Sequence, residues 1–419
     1  MKYHCASGLL SAVGAGSTTD ATPTRTPFRR FQLRRETLNG GRVIIVGGGV
    51  IGTSIAFHLS ERGYRDITVV ERGLPGEGTT AYGTGGIRQQ FSTRVNIELV
   101  RRSLPFWRDF EEMTGAPMHF RQHGYLFLIS DPATLRTFEK NAELQRSLGV
   151  DVTMLDPRQA AGLFPGIRTD DLLGATYSAA DGSGSPTDAV AGYLRGARAR
   201  GAEVRQHTEF RGLVTDTDGA VRGVRTADGT LDAELVVLAA GPQVRGVGRL
   251  CGVDIPVRPH PRQAFATGPL PALHGGLPLA VDMASGAYVH PEAAGTAIVG
   301  GNDRDAPSSE QATVDWSRVE SLAGALSHRF PSLEGLEVTR GWAGLREMTA
   351  DDHAIVGPVD EVPGLWVAAG FSGHGFMQSP AVGAALAEWW LTGAPPLDLS
   401  ALRLSRFTDR ALELETAVF

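Results

Sequence analysis

An α/β (α+β) fold is predicted for this chain of 419 residues by three features of its sequence. Near its start an apolar strand runs into a glycine-rich turn and then a helix. Near its end the same succession returns. Between the two lie short strand-like stretches punctuated by turn dipeptides. The repeated succession points to a Rossmann-like nucleotide-binding domain on a parallel sheet, and the middle to an inserted, mostly antiparallel β-sheet domain that takes the substrate.

Residues 43–63 read VIIVGGGVIGTSIAFHLSERG. Val43–Val46 is apolar and largely β-branched, the pattern of a buried parallel strand. Gly47, Gly49 and Gly52 follow at the GxGxxG spacing. The first glycine permits the tight turn, the second lets a pyrophosphate approach the backbone, and the third lets helix and strand pack closely. Ile51, Ile55, Ala56 and Leu59 recur at helical spacing, and Gly63 ends the helix. The helix start would aim unpaired N–H groups at the phosphates. A second strand, Ile67–Val70, ends at Glu71, roughly 20 residues past the turn, where an acidic side chain accepts ribose hydroxyls. That carboxylate would repel a 2′-phosphate and so argues against NADP. FAD and NAD both fit the stretch.

Residues 73–91 form a donor-rich loop, GLPGEGTTAYGTGGIRQQF, able to reach the far part of a long cofactor. Residues 96–113 read as a helix, Tyr125–Ile129 as a strand and 132–148 as another helix. A helix over 187–200 leads to a strand over 203–206, and Asp218-Gly219 and Asp228-Gly229 punctuate a small antiparallel meander. The apolar strand 235–239 ends in Ala240-Gly241-Pro242, a return to the nucleotide sheet. Residues 286–291 and 296–300 are strand-like, and 316–330 helical. These patterns assign 41–120, 180–255 and 340–419 to the nucleotide-binding domain, and 121–179 and 256–339 to the substrate domain. Leu365–Ala369 then leads into GFSGHGFMQ (370–378) and a helix over 379–391, with Ser379 as its N-cap and Pro380 in its first turn. Its dipole would favour negative charge on a cofactor held there.

Forty Lys and Arg against 46 Asp and Glu leave a formal net charge of −6, which gives a nucleic-acid role no electrostatic support. No apolar run approaches the roughly 18 residues of a membrane-spanning helix. Cys5 and Cys251 make neither a disulfide framework nor a metal-ligand spacing. A cytoplasmic protein is expected, with no metal. Residues 1–40 carry Arg25, Arg29, Arg30, Arg34 and Arg35 behind an apolar segment too weak for a signal peptide, and are expected to be a disordered extension.

Four stretches together resemble one family: VGGGVIGTSIAFHL, GTGGIRQQF (83–91), GWAGLREMTADDHAIVGP (341–358) and LWVAAGFSGHGFMQSPAVGAALAEWW (365–390). In order and distance they are similar to the D-amino-acid oxidase-like flavoprotein superfamily, above all its glycine oxidase, sarcosine oxidase β-subunit and proline dehydrogenase β-subunit branches. The resemblance implies FAD, and oxidation of the C–N bond of an amine or N-substituted amino acid to an imine by hydride transfer to flavin N5. It implies an oxidase that reduces O2 to hydrogen peroxide. The alternative is a dehydrogenase, for an amine, proline-like or 2-hydroxy acid substrate, that passes electrons to a partner or carrier.

Carried onto this chain, the resemblance gives Gly47, Gly49, Val50, Ile51 and Gly52 to the pyrophosphate, and Glu71 with Arg72 to the adenosine ribose. Thr79, Thr80, Gly86 and Ile87 would line the ribityl chain and flavin, and Ala240 and Gly241 would close over the cofactor. Gly373, His374, Gly375, Phe376 and Met377 would meet the flavin's pyrimidine edge. Arg346 matches the arginine that binds substrate carboxylate, for which a guanidinium offers a planar fork. Tyr288 and His290, in GAYVHPE, align near substrate-facing residues, and His290 would take the amine's proton. Monomeric sarcosine oxidases tether flavin through a cysteine where this chain has Gly344, so its FAD should be non-covalent. They also carry a lysine for the carboxylate where it has Met377, which favours a bulkier or less anionic ligand. His353 and Trp389-Trp390 read as structural, and His260 is open.

Overall fold

A computed structural model describes residues 41–301 and 306–417; the extension expected over 1–40 lies outside the described residues. The first part of the chain supplies four strands of one sheet: β1 (Val43–Val46), β2 (Ile67–Val70), β3 (Glu203–Arg205) and β4 (Leu235–Leu238). Two long strands, β5 (Arg258–Thr267) and β6 (Val338–Met348), pair with each other in a second sheet. The chain then returns to the first with β7 (Ile355–Pro358) and β8 (Leu365–Ala369). The first sheet runs β7–β8–β4–β1–β2–β3, parallel except for β7 at its edge. Strands β1, β2, β4 and β8 are buried along their whole length. That is why they read as near-continuous apolar runs, broken only by Thr68, and not as alternation.

Apolar side chains cover both faces of this sheet. One face lies under α1 (Val50–Glu61), α2 (Arg94–Arg108) and α3 (Gly375–Thr392). The other lies under the antiparallel meander Phe210–Thr215, Val221–Thr226 and Gly229–Asp232. Helix α1 is buried on all sides from Val50 to Ser60, as expected of a helix apolar around its circumference. It meets α3 closely at Gly383, where an added Cβ would stand 2.3 Å from Ser54 Oγ.

The second sheet has eight strands in the order β6, β5, Ala297–Gly300, Tyr288–Pro291, Leu279–Asp282, Tyr125–Ile129, Gly174–Ser178, Thr153–Leu155. Its pairings are antiparallel except that of Leu279–Asp282 with Tyr125–Ile129. Residues 340–348, grouped from the sequence with the nucleotide-binding part, are thus on the edge strand of this other sheet. Arg346 therefore reaches the nucleotide side from across the two sheets.

Two helix boundaries differ from expectation. The helix expected over 96–113 breaks at Asp109 into α2 and a short helix, Phe110–Thr114. More consequentially, α3 starts at Gly375 with His374 as N-cap, so Ser379 is not a cap and Pro380 lies inside the helix. Neighbouring side chains make this possible by taking up the polar groups that proline disturbs. Ala381 N–H donates to Ser103 Oγ at 3.1 Å. The carbonyls of Met377 and Ser379 accept from Trp107 Nε1 (3.1 Å) and Ser54 Oγ (2.6 Å).

The chain's last described residues are tied inward. Glu415 accepts from Ser92 N–H, Thr93 Oγ1 and Asn96 Nδ2 at the start of α2, and Arg406 donates to both oxygens of the fully buried Asp351 at 2.8 and 3.1 Å. Replacing Arg406 by alanine would leave that carboxylate buried without its cation. We expect a loss of about 3–5 kcal/mol, read from urea unfolding.

Candidate active site

A single cavity of about 1090 Å3 joins the turn after β1 to the loop before α3. It lies at the C-terminal ends of the parallel strands, where open α/β sheets take their ligands. Its volume slightly exceeds the roughly 300–1,000 Å3 that small-molecule sites span, as suits an extended dinucleotide.

At one end Gly47 has φ +115°, and a Cβ there would stand 2.3 Å from Ala239 O. A Cβ on Gly52 would stand 2.0 Å from Gly47 O, so helix and turn touch backbone to backbone. Gly49 differs. A Cβ there would meet only Thr80 Oγ1, at 3.4 Å, and the space above this N-cap opens into the cavity. That opening at a helix start is the cradle a pyrophosphate fills. Glu71 also holds the turn itself: its Oε2 accepts from Gly48 N–H at 2.7 Å and its Oε1 from Gly73 N–H at 2.8 Å. Each oxygen keeps a further lone pair for a ribose hydroxyl. Thr80 Oγ1 accepts from Val50 N–H at 3.2 Å, and Thr79 Oγ1 donates to Leu345 O at 2.8 Å, tying this loop to β6.

At the other end the chain leaves β8 through Gly370, Ser372 and Gly373, all at positive φ (+74°, +51° and +93°). A Cβ on Gly373 would lie 3.0 Å from Arg346 Nε, so the half-buried guanidinium packs directly on this glycine. Because α3 begins at Gly375, its positive end faces the cavity one turn earlier than the sequence placed it. The imidazole of His374 sits edge-on to Phe91, ring centroids 4.8 Å apart. Burial, and then the charges of Arg88 and Arg346, hold it neutral well below the usual histidine range.

Most residues singled out from the sequence surround this one cavity. Gly47, Gly49, Val50, Ile51, Glu71 and Arg72 line its first end; Thr79, Thr80, Gly86, Ala240 and Gly241 its middle. Tyr288, Arg346, Gly373, His374, Gly375, Phe376 and Met377 line the second end. Gly52 and Ile87 do not: the one is packed against the turn and the other is fully buried. Nor does His290. It shares a strand face with Tyr288, but two residues along a strand is about 7 Å, and only the tyrosine reaches the cavity. His290 is buried beside His123, Arg121 and the Thr84 backbone, and burial, then those two charges, push its pKa down to about 3. It is poorly suited to hold the amine's proton, which corrects the expectation.

His353 is held by Thr93 Oγ1 (2.9 Å) and Asp351 O (2.8 Å), and His260 Nδ1 lies 3.2 Å from Ala306 O. Trp389 and Trp390 pack on Trp366.

Three wall residues carried no assigned role at the sequence level. Arg88, buried at 2% exposure, donates to Ala417 O at 2.7 Å and lies over the Phe91 ring, 4.1 Å from its centroid. Burial pushes the Tyr125 hydroxyl well above its ordinary range. Glu347 follows Arg346 in the wall, and burial pushes its carboxyl up to about 7. The usable signal for Glu347 was a charged pair, Arg346-Glu347, following the apolar and glycine run Gly341–Leu345. Among the described residues no cluster could hold a metal, and no helix is long and apolar enough to cross a membrane.

The model of a family described as FAD dependent oxidoreductase matches residues 42–389. FAD-dependent oxidoreductase domain-containing protein 1 of Xenopus laevis is 33% identical, over 89% of this chain and 84% of that protein. Glycine oxidase of Geobacillus kaustophilus is 28% identical, over 87% of this chain and 96% of its own. The crystal structure of L-proline dehydrogenase from P. horikoshii superposes with a TM-score of 0.84 at 30% identity, covering 89% of this chain and 99% of that one. Several other curated relatives are longer, and the chain spans 41% to 46% of their length.

Proposed function

The chain belongs to the FAD-dependent oxidoreductase family, and from that premise we propose that it oxidises the C–N bond of an amino acid or N-substituted amino acid to an imine. Bound FAD supplies the acceptor for a hydride from the substrate's α-carbon. The residues that would hold it are Gly47, Gly49, Thr80 and Glu71 at one end and Gly373–Met377 at the other, without a covalent tether, since Gly344 offers no sulfur.

The observation that carries this reading is Arg346, a guanidinium in the cavity wall packed on the glycine that precedes α3. Its fork pairs with a carboxylate and so fixes the α-carbon next to it. Arg88 and Arg346 together make the site electropositive, which lowers the pKa of an amine entering it. Only the neutral amine has the lone pair that expels hydride, so this field prepares the substrate without a strong base. His374, itself neutral, adds no charge there.

Relatives named glycine oxidase and L-proline dehydrogenase bracket the choice of substrate and of electron acceptor. Our reading is an oxidase. The test is anaerobic bleaching of the flavin by a panel of N-methyl amino acids, proline and glycine, followed by admission of air. Bleaching by at least one of them is expected, with stoichiometric hydrogen peroxide on reoxidation. Bleaching without peroxide would assign electrons to a carrier, and no bleaching would remove the amine reading.

A further inference from the structure

The acid next to Arg346 has no part in the function proposed above. Glu347 sits in the cavity wall and is half-buried there. Its Oε2 accepts from Gly370 N–H at 3.0 Å, with Phe371 N–H beside it, and lies 3.8 Å from where a Cβ on Gly241 would stand. Gly370 follows β8 and Gly241 follows the end of β4, so the carboxyl is at the strand ends where a dinucleotide crosses the sheet. Opposite it on β5 stands Pro259, which offers neither an N–H nor a polar side chain. A carboxyl in such a place is costly unless its second oxygen has a use.

We propose that Glu347 is a cofactor-binding residue that enters the loaded protein as the neutral acid, keeping the Gly370 N–H on Oε2 and donating its own proton to an acceptor oxygen of FAD. An ionised carboxylate would instead add a negative charge to the site of an anionic cofactor and face acceptor with acceptor. The other charged or titratable groups on the elements around it are Arg340 and Arg346 on its own strand, Arg258, His260 and Arg262 on β5, Arg245 and Arg249 on the helix Val244–Arg249, and His374 after β8. The arginines stay charged at any workable pH, and burial holds His374 neutral. Of these groups, Glu347 is the one in the cavity wall that changes charge near neutrality; His260 is outside the lining, its Nδ1 3.2 Å from Ala306 O.

The sign follows. Burial raises the carboxyl to about 7, against the pull of the Gly370 and Phe371 N–H groups. Binding FAD to the neutral form raises it further. Below that value both states already hold the proton and affinity is flat. Above it, binding must draw a proton from water, and affinity falls by up to about tenfold per pH unit.

The test uses the full-length chain stripped of FAD and titrated with FAD by flavin fluorescence, with no substrate, so it does not depend on the amine reading. The wild-type Kd is expected to rise at least roughly tenfold between about pH 6 and pH 9. Glu347→Gln, a neutral donor of the same shape, should match wild type at the acid end and stay flat. Glu347→Leu should bind more than about tenfold weaker than wild type at the acid end and stay flat with pH, having lost the donor. Calorimetry in two buffers of different ionisation heat should count uptake approaching one proton near pH 8. A flat wild-type Kd, an equal fall in Glu347→Gln, or no proton uptake would each overturn the proposal. Should the variants fail to fold, the wild-type proton count decides alone.

Discussion

Replacing Arg346 by leucine is expected to raise the KM for a carboxylate-bearing amine by roughly thirtyfold or more. Truncating one partner of a desolvated charge pair costs about 2–5 kcal/mol, and each 1.4 kcal/mol is a factor of ten. The same variant should treat the decarboxylated analogue much as wild type does, because that ligand never used the guanidinium. Arg346→Lys should fall between, keeping the charge and losing the planar fork. Steady-state kinetics on the acid and its decarboxylated partner decide the matter. If both substrates suffer equally, Arg346 serves to shape the wall at Gly373 and does not recognise a carboxylate.

Gly52→Ala should yield colourless protein with a lowered melting temperature. A methyl group there would sit 2.0 Å from the Gly47 carbonyl oxygen, backbone that cannot swing away as a side chain would. Helix α1 must then lift from the turn, and the cradle at Gly49 opens with it. Such overpacking costs roughly 1–3 kcal/mol in stability, and the displaced helix start loses its aim at the phosphates. The control is Gly324→Ala, in the helix Arg318–Arg329, where nothing lies within 4 Å of the added methyl. That change should keep the flavin and add up to about 1 kcal/mol, from helix propensity alone. Flavin absorbance after desalting and a thermal melt read both outcomes. A yellow Gly52→Ala protein with an unchanged melt would show that α1 and the turn are not in the contact described.

Legibility followed the range of the interactions involved. The strand, turn and helix at 43–61 are specified within one continuous stretch, because burial on both faces demands an apolar run and the turn demands glycine. The meander was readable for the same reason, through its Asp-Gly turns. The start of α3 was not. Ser379-Pro380 is a sound local signal for a helix beginning, but Trp107, Ser103 and Ser54 come from distant parts of the chain to satisfy the groups that proline disturbs. His290 misled in a similar way. The resemblance put it beside Tyr288 as substrate-facing, while its burial, and with it its neutrality, is set by the sheet around it and then by His123 and Arg121.

Chain order alone sufficed for a parallel nucleotide-binding sheet and two glycine-bearing turns, because local backbone geometry and apolar runs leave few other readings, and the resemblance of four motif stretches gave the family. What folding had to supply was convergence: β6 crossing from the second sheet to set Arg346 against Gly373 and Glu347 against Gly370. Contacts between residues far apart in the chain decide which side chains share a cavity, which carboxyl is raised toward neutrality and which histidine is left behind the wall. No spacing along the sequence encodes them.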